Sequence, residues 1–544
     1  MFISTKDLSL QIIVSKNSRL IPHTSPMKYK YILIFLMCGT WIVSGADSMN
    51  YIQKQFQENS ARQIDTAKIT AFFESYPKFR PYQAQVKLLY KKHGDYIWYD
   101  AKGLIEFAYV LHKQVGQMKE EGLPVAVPYQ TQWEKIFEQN ASTIPNLESE
   151  LLISCMYFFY TTKVFSGFTI GKSEGTGWYL PRENASNAGY LDTLAQGIAS
   201  RKELKHDYFN QYYPLKEALK KYLEIEKKGG WKVVKLEKEI KLFHQGDSST
   251  TVQEVRNRLF VEGFISQDNA SLHFDQTITD GIAAYGTSQN HDFQSKITPR
   301  LIEMLNVPVE SRIKTISVNM ERCRWISPKI NTAQEYIAVN IPSFKLLYYR
   351  DGKPFLVSKV VVGKEFHKTI VFSGHMSYLA FSPYWNVPTS ILKKEILPSI
   401  QKNPNYLENQ NMEWHDGQLR QKPGGSNALG YVKFMFPNSH NIYLHDSPSK
   451  SFFNKDKRAF SHGCVRVEKA RELAIAIMEK EANWSSKKVD EAMHLGKENT
   501  YVLKDKIPVY IAYFTAWADG TGNVAFYDDL YNRDDALAKV LFEN

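Results

Sequence analysis

The hydrophobic period of this chain changes near residue 332, and that change limits its architecture more than any other feature. Before it, apolar residues recur at helical spacing, as in "AKGLIEFAYVLHKQVGQMKEEG" (101–122) and "YPLKEALKKYLEIEKK" (213–228). After it, "EYIAVNIPSFKLLYYRDGKPFLVSKVVVGKE" (335–365) is rich in β-branched and aromatic residues, and Asp351-Gly352 supplies a tight hairpin turn. Helical and strand periods held in separate halves predict a multidomain α+β protein. At 544 residues the chain is also too long for one hydrophobic core. The expected parts are an α-helical scaffold domain (47–249), a small three-helix module (250–325) and a β-rich domain (332–544). The module is read from "VQEVRNRLFVEG", "FDQTITDGIAAYGTSQ" and "ITPRLIEMLNVP". The β-rich domain carries an insertion at about 382–425, with a helix-like piece at 390–401, long enough to act as a lid over a binding site.

The first 46 residues read as a secretory signal peptide: Lys28 and Lys30, the apolar run "YILIFLMCGTWIV" (31–43), then small residues at Ser44 and Ala46. Thirteen apolar residues fall short of the roughly twenty a membrane span needs, so an uncleaved anchor is the weaker reading. Met27, directly ahead of Lys28, offers an alternative start to Met1, and the sequence does not choose between them. Export to the periplasm or cell envelope is the expectation. Loss of residues 1–46 lowers the formal net charge from +11 to +7. That is modest for such a length, and no Arg/Lys tract with interleaved aromatics is present, which argues against a nucleic-acid partner. An anionic envelope polymer is compatible with it.

Removal of the signal leaves Cys155, Cys323 and Cys464. An odd number in an exported chain leaves at least one free thiol unless chains pair with each other. Cys155, within "ELLISCMYFFY", and Cys323, within "MERCRW", read as buried small hydrophobes. Cys464 lies in "AFSHGCVRVEKA" (459–470). A cysteine nucleophile needs a base, an oxyanion site and open backbone. Gly463 bares the backbone beside the sulfur, and a helix over roughly 468–482 starts close enough to suggest help from its positive end. Two histidines compete for the base. Alternation along "NIYLH" puts Tyr443 and His445 on one strand face, which favours His445, whereas His462 is better placed to shape the loop. No C-x-x-C or H-x-x-x-H spacing supports a metal site, and a structural cysteine remains the other reading at this point.

His445, fifteen intervening residues, then Ser461-His462-Gly463-Cys464 resembles the motif of the L,D-transpeptidases with their YkuD-type catalytic domain. Further segments resemble the large, periplasmic, multidomain branch of that family: "GWYLPRE" (177–183), "NMERCRW" (319–325), "YWNVP" (384–388), "NALGYVKFMFPN" (427–438) and "YLHDSPSK" (443–450). The three-helix segment resembles a peptidoglycan-binding domain. Arg466 stands where the wider family commonly has Asn or Asp.

The resemblance implies cysteine acyl transfer between peptidoglycan stem peptides. Cys464 would be the nucleophile and His445 the proton acceptor and donor. His462 would shape the loop with Ser461, and the Gly463 backbone would serve the oxyanion hole. Tyr443, Arg466, Trp385 and Asn386 would contact substrate. No cofactor and no metal are implied. Donor and acceptor stems are the implied partners, carbapenem-type β-lactams the implied inactivators, and other cell-wall enzymes possible associates. Passing the same thioester to water would instead make an L,D-specific peptidase or hydrolase, and a non-catalytic wall-binding scaffold is the alternative from a different class.

Overall fold

The computed structural model describes residue 64 and residues 66–100, 102–138, 145–180, 206–237, 242–289 and 291–542. The expected signal segment 1–46 lies outside them, as do the last three residues of "GWYLPRE". Among the described residues no helix is long and apolar enough to cross a membrane.

The N-terminal half is helical. The helix Leu147–Tyr160, apolar on nearly every side, is buried almost throughout, with the Asn146 side chain capping its first turn through the Ser149 N–H. The helix Tyr212–Lys227 presents Leu215, Leu219 and Tyr222 to the same core and packs along Val309–Arg324. Three helices, Thr250–Glu262, Gln276–Gln289 and Pro299–Leu305, surround a separate small core of Val255, Leu259, Ile278, Ile282 and Leu301. Ser249 and Thr298 cap the first and third of them. The expected module boundary at 325 needs correction. Val309–Arg324 places Ile316, Val318, Met320 and Cys323 in the main core, whereas Val234 and Phe243, ahead of residue 250, join the small one. The stretch 309–324 follows a helical period like its neighbours, so periodicity alone cannot assign it to one core or the other.

The C-terminal half contains β1 (Tyr336–Asn340), β2 (Lys345–Arg350), β3 (Lys353–Gly363), β4 (Phe372–Phe381), β5 (Trp385–Asn386), β6 (Met412–His415), β7 (Gln418–Gln421), β8 (Val432–Met435), β9 (Leu444–His445), β10 (Ala459–Ser461), β11 (Val465–Val467) and β12 (Asn499–Ala512). Strands β3, β11, β9, β8, β4, β12, β1 and β2 follow one another around a sheet, and pairing of β2 with β3 closes it. The eleven residues of β3 allow this: their first part pairs with β2 and their last part with β11 and β10. The β1–β2–β3 meander turns at Asp351-Gly352, both with positive φ (53° and 69°), as a two-residue hairpin of right-handed twist requires. The barrel joins the helical half at a bridge between Trp178 and Val371, where the Tyr179 N–H donates to the Val371 carbonyl.

The insertion is a small folded unit. Strands β5, β7 and β6 form its sheet, short helical turns run from Thr389 to Lys402, and Val387, Ile391, Ile396, Met412 and Leu419 make its core.

Candidate active site

The site is built by one parallel strand pair. Strand β9 lies beside β11 in the register Leu444↔Val465 and His445↔Arg466. Leu444 and Val465 are fully buried in the barrel interior, so Tyr443, His445, Cys464 and Arg466 fall on the opposite face. On the other side of β9, Lys433 of β8 pairs with His445. Lys433, His445 and Arg466 thus form a row across three adjacent strands, with Cys464 and Tyr443 one position along it.

His445 is buried, and its Nδ1 lies 2.5 Å from the Asp446 carbonyl oxygen. A carbonyl only accepts, so Nδ1 carries the hydrogen and Nε2 keeps the lone pair, the tautomer a base needs. Burial, then the charges of Arg466 and Lys433, hold this imidazole down to a pKa of about 3. It is neutral at physiological pH. Among the described residues no hydrogen bond joins His445 to Cys464; the two stand diagonally across a strand pair, a spacing of about 7–8 Å between backbones that side chains can close.

Burial pushes the Cys464 thiol up from its ordinary range, opposed by hydrogen bonds from the backbone and hydroxyl of Tyr443 and by the charges of Lys433 and Arg466. The resting pair is therefore neutral thiol and neutral imidazole. The Asn441 carbonyl lies 3.7 Å from Sγ.

The loop before Cys464 is tied at several points. Ser461 Oγ donates to the Cys464 carbonyl (2.6 Å) and accepts the Gly463 N–H (3.1 Å). Gly463 takes φ 120°, closed to other residues, and its carbonyl accepts the Thr369 hydroxyl at 2.8 Å. His462 Nε2 meets Glu395 Oε1 of the insertion at 2.8 Å. This geometry corrects the expected oxyanion role of Gly463, since its N–H is already spent on Ser461. The Cys464 N–H has no protein acceptor among the described residues and is the donor left over.

Residues 334–500 match the family model of the L,D-transpeptidase catalytic domain, and 84–219 match that of a scaffold domain. This part of the chain is similar to L,D-transpeptidase catalytic domains. A Haemophilus influenzae protein provisionally named an L,D-transpeptidase is 33% identical over 290 residues, which is 49% of this chain and 56% of that protein. The chain thus spans a little over half of that relative. Among solved structures, an L,D-transpeptidase from Mycobacterium smegmatis is 12% identical with a TM-score of 0.18, covering 33% of this chain and 58% of its own. One from Stackebrandtia nassauensis is 13% identical with a TM-score of 0.19, covering 51% and 97%.

Within the matched stretch 334–500, the expected residues divide into two groups. Tyr443, His445, Ser461, His462, Gly463, Cys464 and Arg466 are brought together by β9, β11 and the loop between them. Trp385 and Asn386 are on β5 of the insertion instead, where Trp385 packs against the insertion core and Asn386 is exposed. The helix Ala470–Met478 also starts farther away than expected: β11 intervenes, and three strand residues span about 10 Å, beyond the reach of a helix terminus. Three residues were not singled out by sequence. Lys433 had a signal, because alternation in "YVKFMF" separates it from Val432 and Phe434. Asp446 and Glu395 had none, since their roles depend on contacts the chain makes only when folded.

Proposed function

We propose that this protein is a peptidoglycan L,D-transpeptidase, exported to the periplasm, that joins the third residues of two stem peptides. The observation that carries the reading is the β9–β11 register, which sets a neutral, tautomerically fixed His445 and a loop-borne Cys464 on one face, with the Cys464 N–H free to bind an oxyanion. Catalysis runs in balanced steps. As Sγ attacks the carbonyl before the terminal D-alanine of a tetrapeptide donor, its proton passes to His445 Nε2. Charge developing on sulfur and oxygen raises the basicity of that imidazole while it accepts the proton. The carbon–nitrogen bond then breaks, the proton moves from His445 to the departing amine, and D-alanine leaves a thioester on Cys464. A side-chain amine of a second stem attacks, loses its proton to His445, and expels the thiol, which takes the proton back. An oxyanion donor such as the Cys464 N–H is worth about 3–4 kcal/mol in the transition state.

Arg466, whose buried Nε has no acceptor among the described residues, is suited to a substrate carboxylate. Tyr443 would line the donor side, and the insertion, with Trp385 and Asn386, the acceptor side. Sheltering the thioester under that insertion favours an amine over water.

The test is product analysis by mass spectrometry after incubating the full chain with tetrapeptide stems. The expected product is a cross-linked dimer one D-alanine lighter than two stems, absent with Cys464→Ala. A dimer still formed by Cys464→Ala would overturn the assignment, and shortened monomers alone would mark a hydrolase. Carbapenems are expected to add their mass to Cys464 alone. Cys155 and Cys323 are fully buried, and burial pushes both thiols well up, so an adduct on either would contradict the assignment.

A further inference from the structure

Lys433 stands in the row beside His445, on the sheet face that carries Cys464, because its neighbours Val432 and Phe434 fill the barrel. Its ammonium lies 4.1 Å from the centroid of the Tyr443 ring. Tyr443 stands across the β9–β11 strand pair from Cys464 on the same face, and its hydroxyl, as a hydrogen-bond donor, pulls the Cys464 thiol down against the effect of burial. The Lys433 side chain makes no ion pair and no hydrogen bond among the described residues; the titratable groups whose charge acts on it are Cys464 and Glu498. An ammonium kept in a largely desolvated position without a fixed counterion is costly unless it meets a charge that appears elsewhere in the protein's working cycle. The anion on the same face is the one the reaction itself creates, on sulfur. A cation against the ring face draws electron density from the phenol and strengthens its hydroxyl as a donor.

We propose that Lys433 is a positioning residue for Cys464: through the Tyr443 ring, and by its own charge, it stabilises the sulfur anion that forms as the proton leaves for His445. The proposal rests on the reading of Cys464 as the nucleophile. The groups that face the sulfur are Tyr443 and His445 from β9, Arg466 from β11 and Lys433 from β8, with Asn441 contributing a carbonyl. His462 is held by Glu395, and His367 stacks edge-on against His462 with ring centroids 5.2 Å apart. Lys433 differs from Arg466 in acting through the tyrosine, so the two cations are separable by substitution.

The experiment follows iodoacetamide alkylation of Cys464 in the full chain from pH 6 to 10, quantified on the Cys464 peptide by mass spectrometry. Lys433→Gln is expected to alkylate about three- to tenfold more slowly at pH 7–8 and to reach the wild-type plateau at high pH. Lys433→Arg, which keeps the charge, is expected to follow the wild-type curve within about twofold. Lys433→Met, a neutral stem of similar length, backs up Lys433→Gln, and thermal unfolding accompanies each variant. A neutral variant that titrates like wild type overturns the proposal. So does slowing by the same factor at every pH, which is the mark of changed access, or failure of both neutral variants to fold, which would make Lys433 structural. The wider reading fails separately: transfer that persists in Cys464→Ala removes the nucleophile without altering these curves.

Discussion

His445→Gln is expected to slow thioester formation about 10²–10⁴-fold while leaving alkylation of Cys464 near the wild-type rate above pH 9. The two outcomes belong together because the resting site holds a protonated thiol beside a neutral imidazole. Burial and the charges of Arg466 and Lys433 depress His445 to about 3, so it binds no proton on titration through the usual histidine range. Burial raises the thiol, so thiolate accumulates only at alkaline pH. The base is consequently needed during attack and dispensable once solvent hydroxide has already removed the proton. A pH profile of acylation provides the check on sign. From pH 5 to 8 the wild-type kcat/KM should be nearly flat, since neither group changes charge there. An acid limb with a midpoint near 6.5 would mean that His445 titrates as an exposed histidine does, and would remove the electrostatic part of the argument.

The barrel's first meander was legible because its turn chemistry and alternation agree. Asp351-Gly352 demands positive φ at both positions and obtains it. The strand at the centre of the sheet was not legible. Strand β4, "FSGHMSYLAF", has no clean alternation, and Gly374 and His375 interrupt it. Its identity comes from pairing with β8 on one side and β12 on the other. Half of β12 was hidden for a related reason. Lys504, Asp505 and Lys506 break the apolar pattern, and the structure answers with a register shift between Val502 and Ile507. The strand ends at Ala512, and a separate pair, Ala516–Ala518 with Val524–Phe526, follows.

The site was legible to the extent that it is local. Cys464, His462 and Ser461 are neighbours in the chain, and the strand alternation around His445 could be read directly. Contacts that decide function across long separations left no trace. His462 meets Glu395 sixty-seven positions away, and that pair connects the loop carrying Cys464 to the insertion. The proposed oxyanion donor illustrates the same limit. Glycine at 463 signals open backbone, but only the fold shows that its N–H is taken by Ser461 and that the following N–H is spare.

Gly430→Ala should be a strongly damaging single-methyl change near the site, acting through Asp446, the neighbour of His445. Gly430 adopts φ 63°, and a Cβ there would lie 2.4 Å from Asp446 Oδ2 and 2.6 Å from Asp446 Cβ. Asp446 has little room to yield. Its Oδ2 accepts the Tyr431 N–H at 3.0 Å, its Oδ1 holds the Lys450 ammonium at 2.7 Å, and its own N–H donates to the Val432 carbonyl at 2.9 Å. Left-handed strain of about 1–2 kcal/mol and overpacking of about 1–3 kcal/mol combine to roughly 2–5 kcal/mol, a fall in Tm of about 5–15 °C. A second effect should survive below that Tm. The Asp446 carbonyl fixes the His445 tautomer, so displacing Asp446 frees the imidazole to turn or to move its proton to Nε2, where it cannot act as a base. The expected signature is a lower kcat with KM nearly unchanged, together with wild-type alkylation of Cys464 at high pH. Wild-type Tm and kcat in this variant would show that Asp446 moves freely, and that the His445 tautomer does not depend on it.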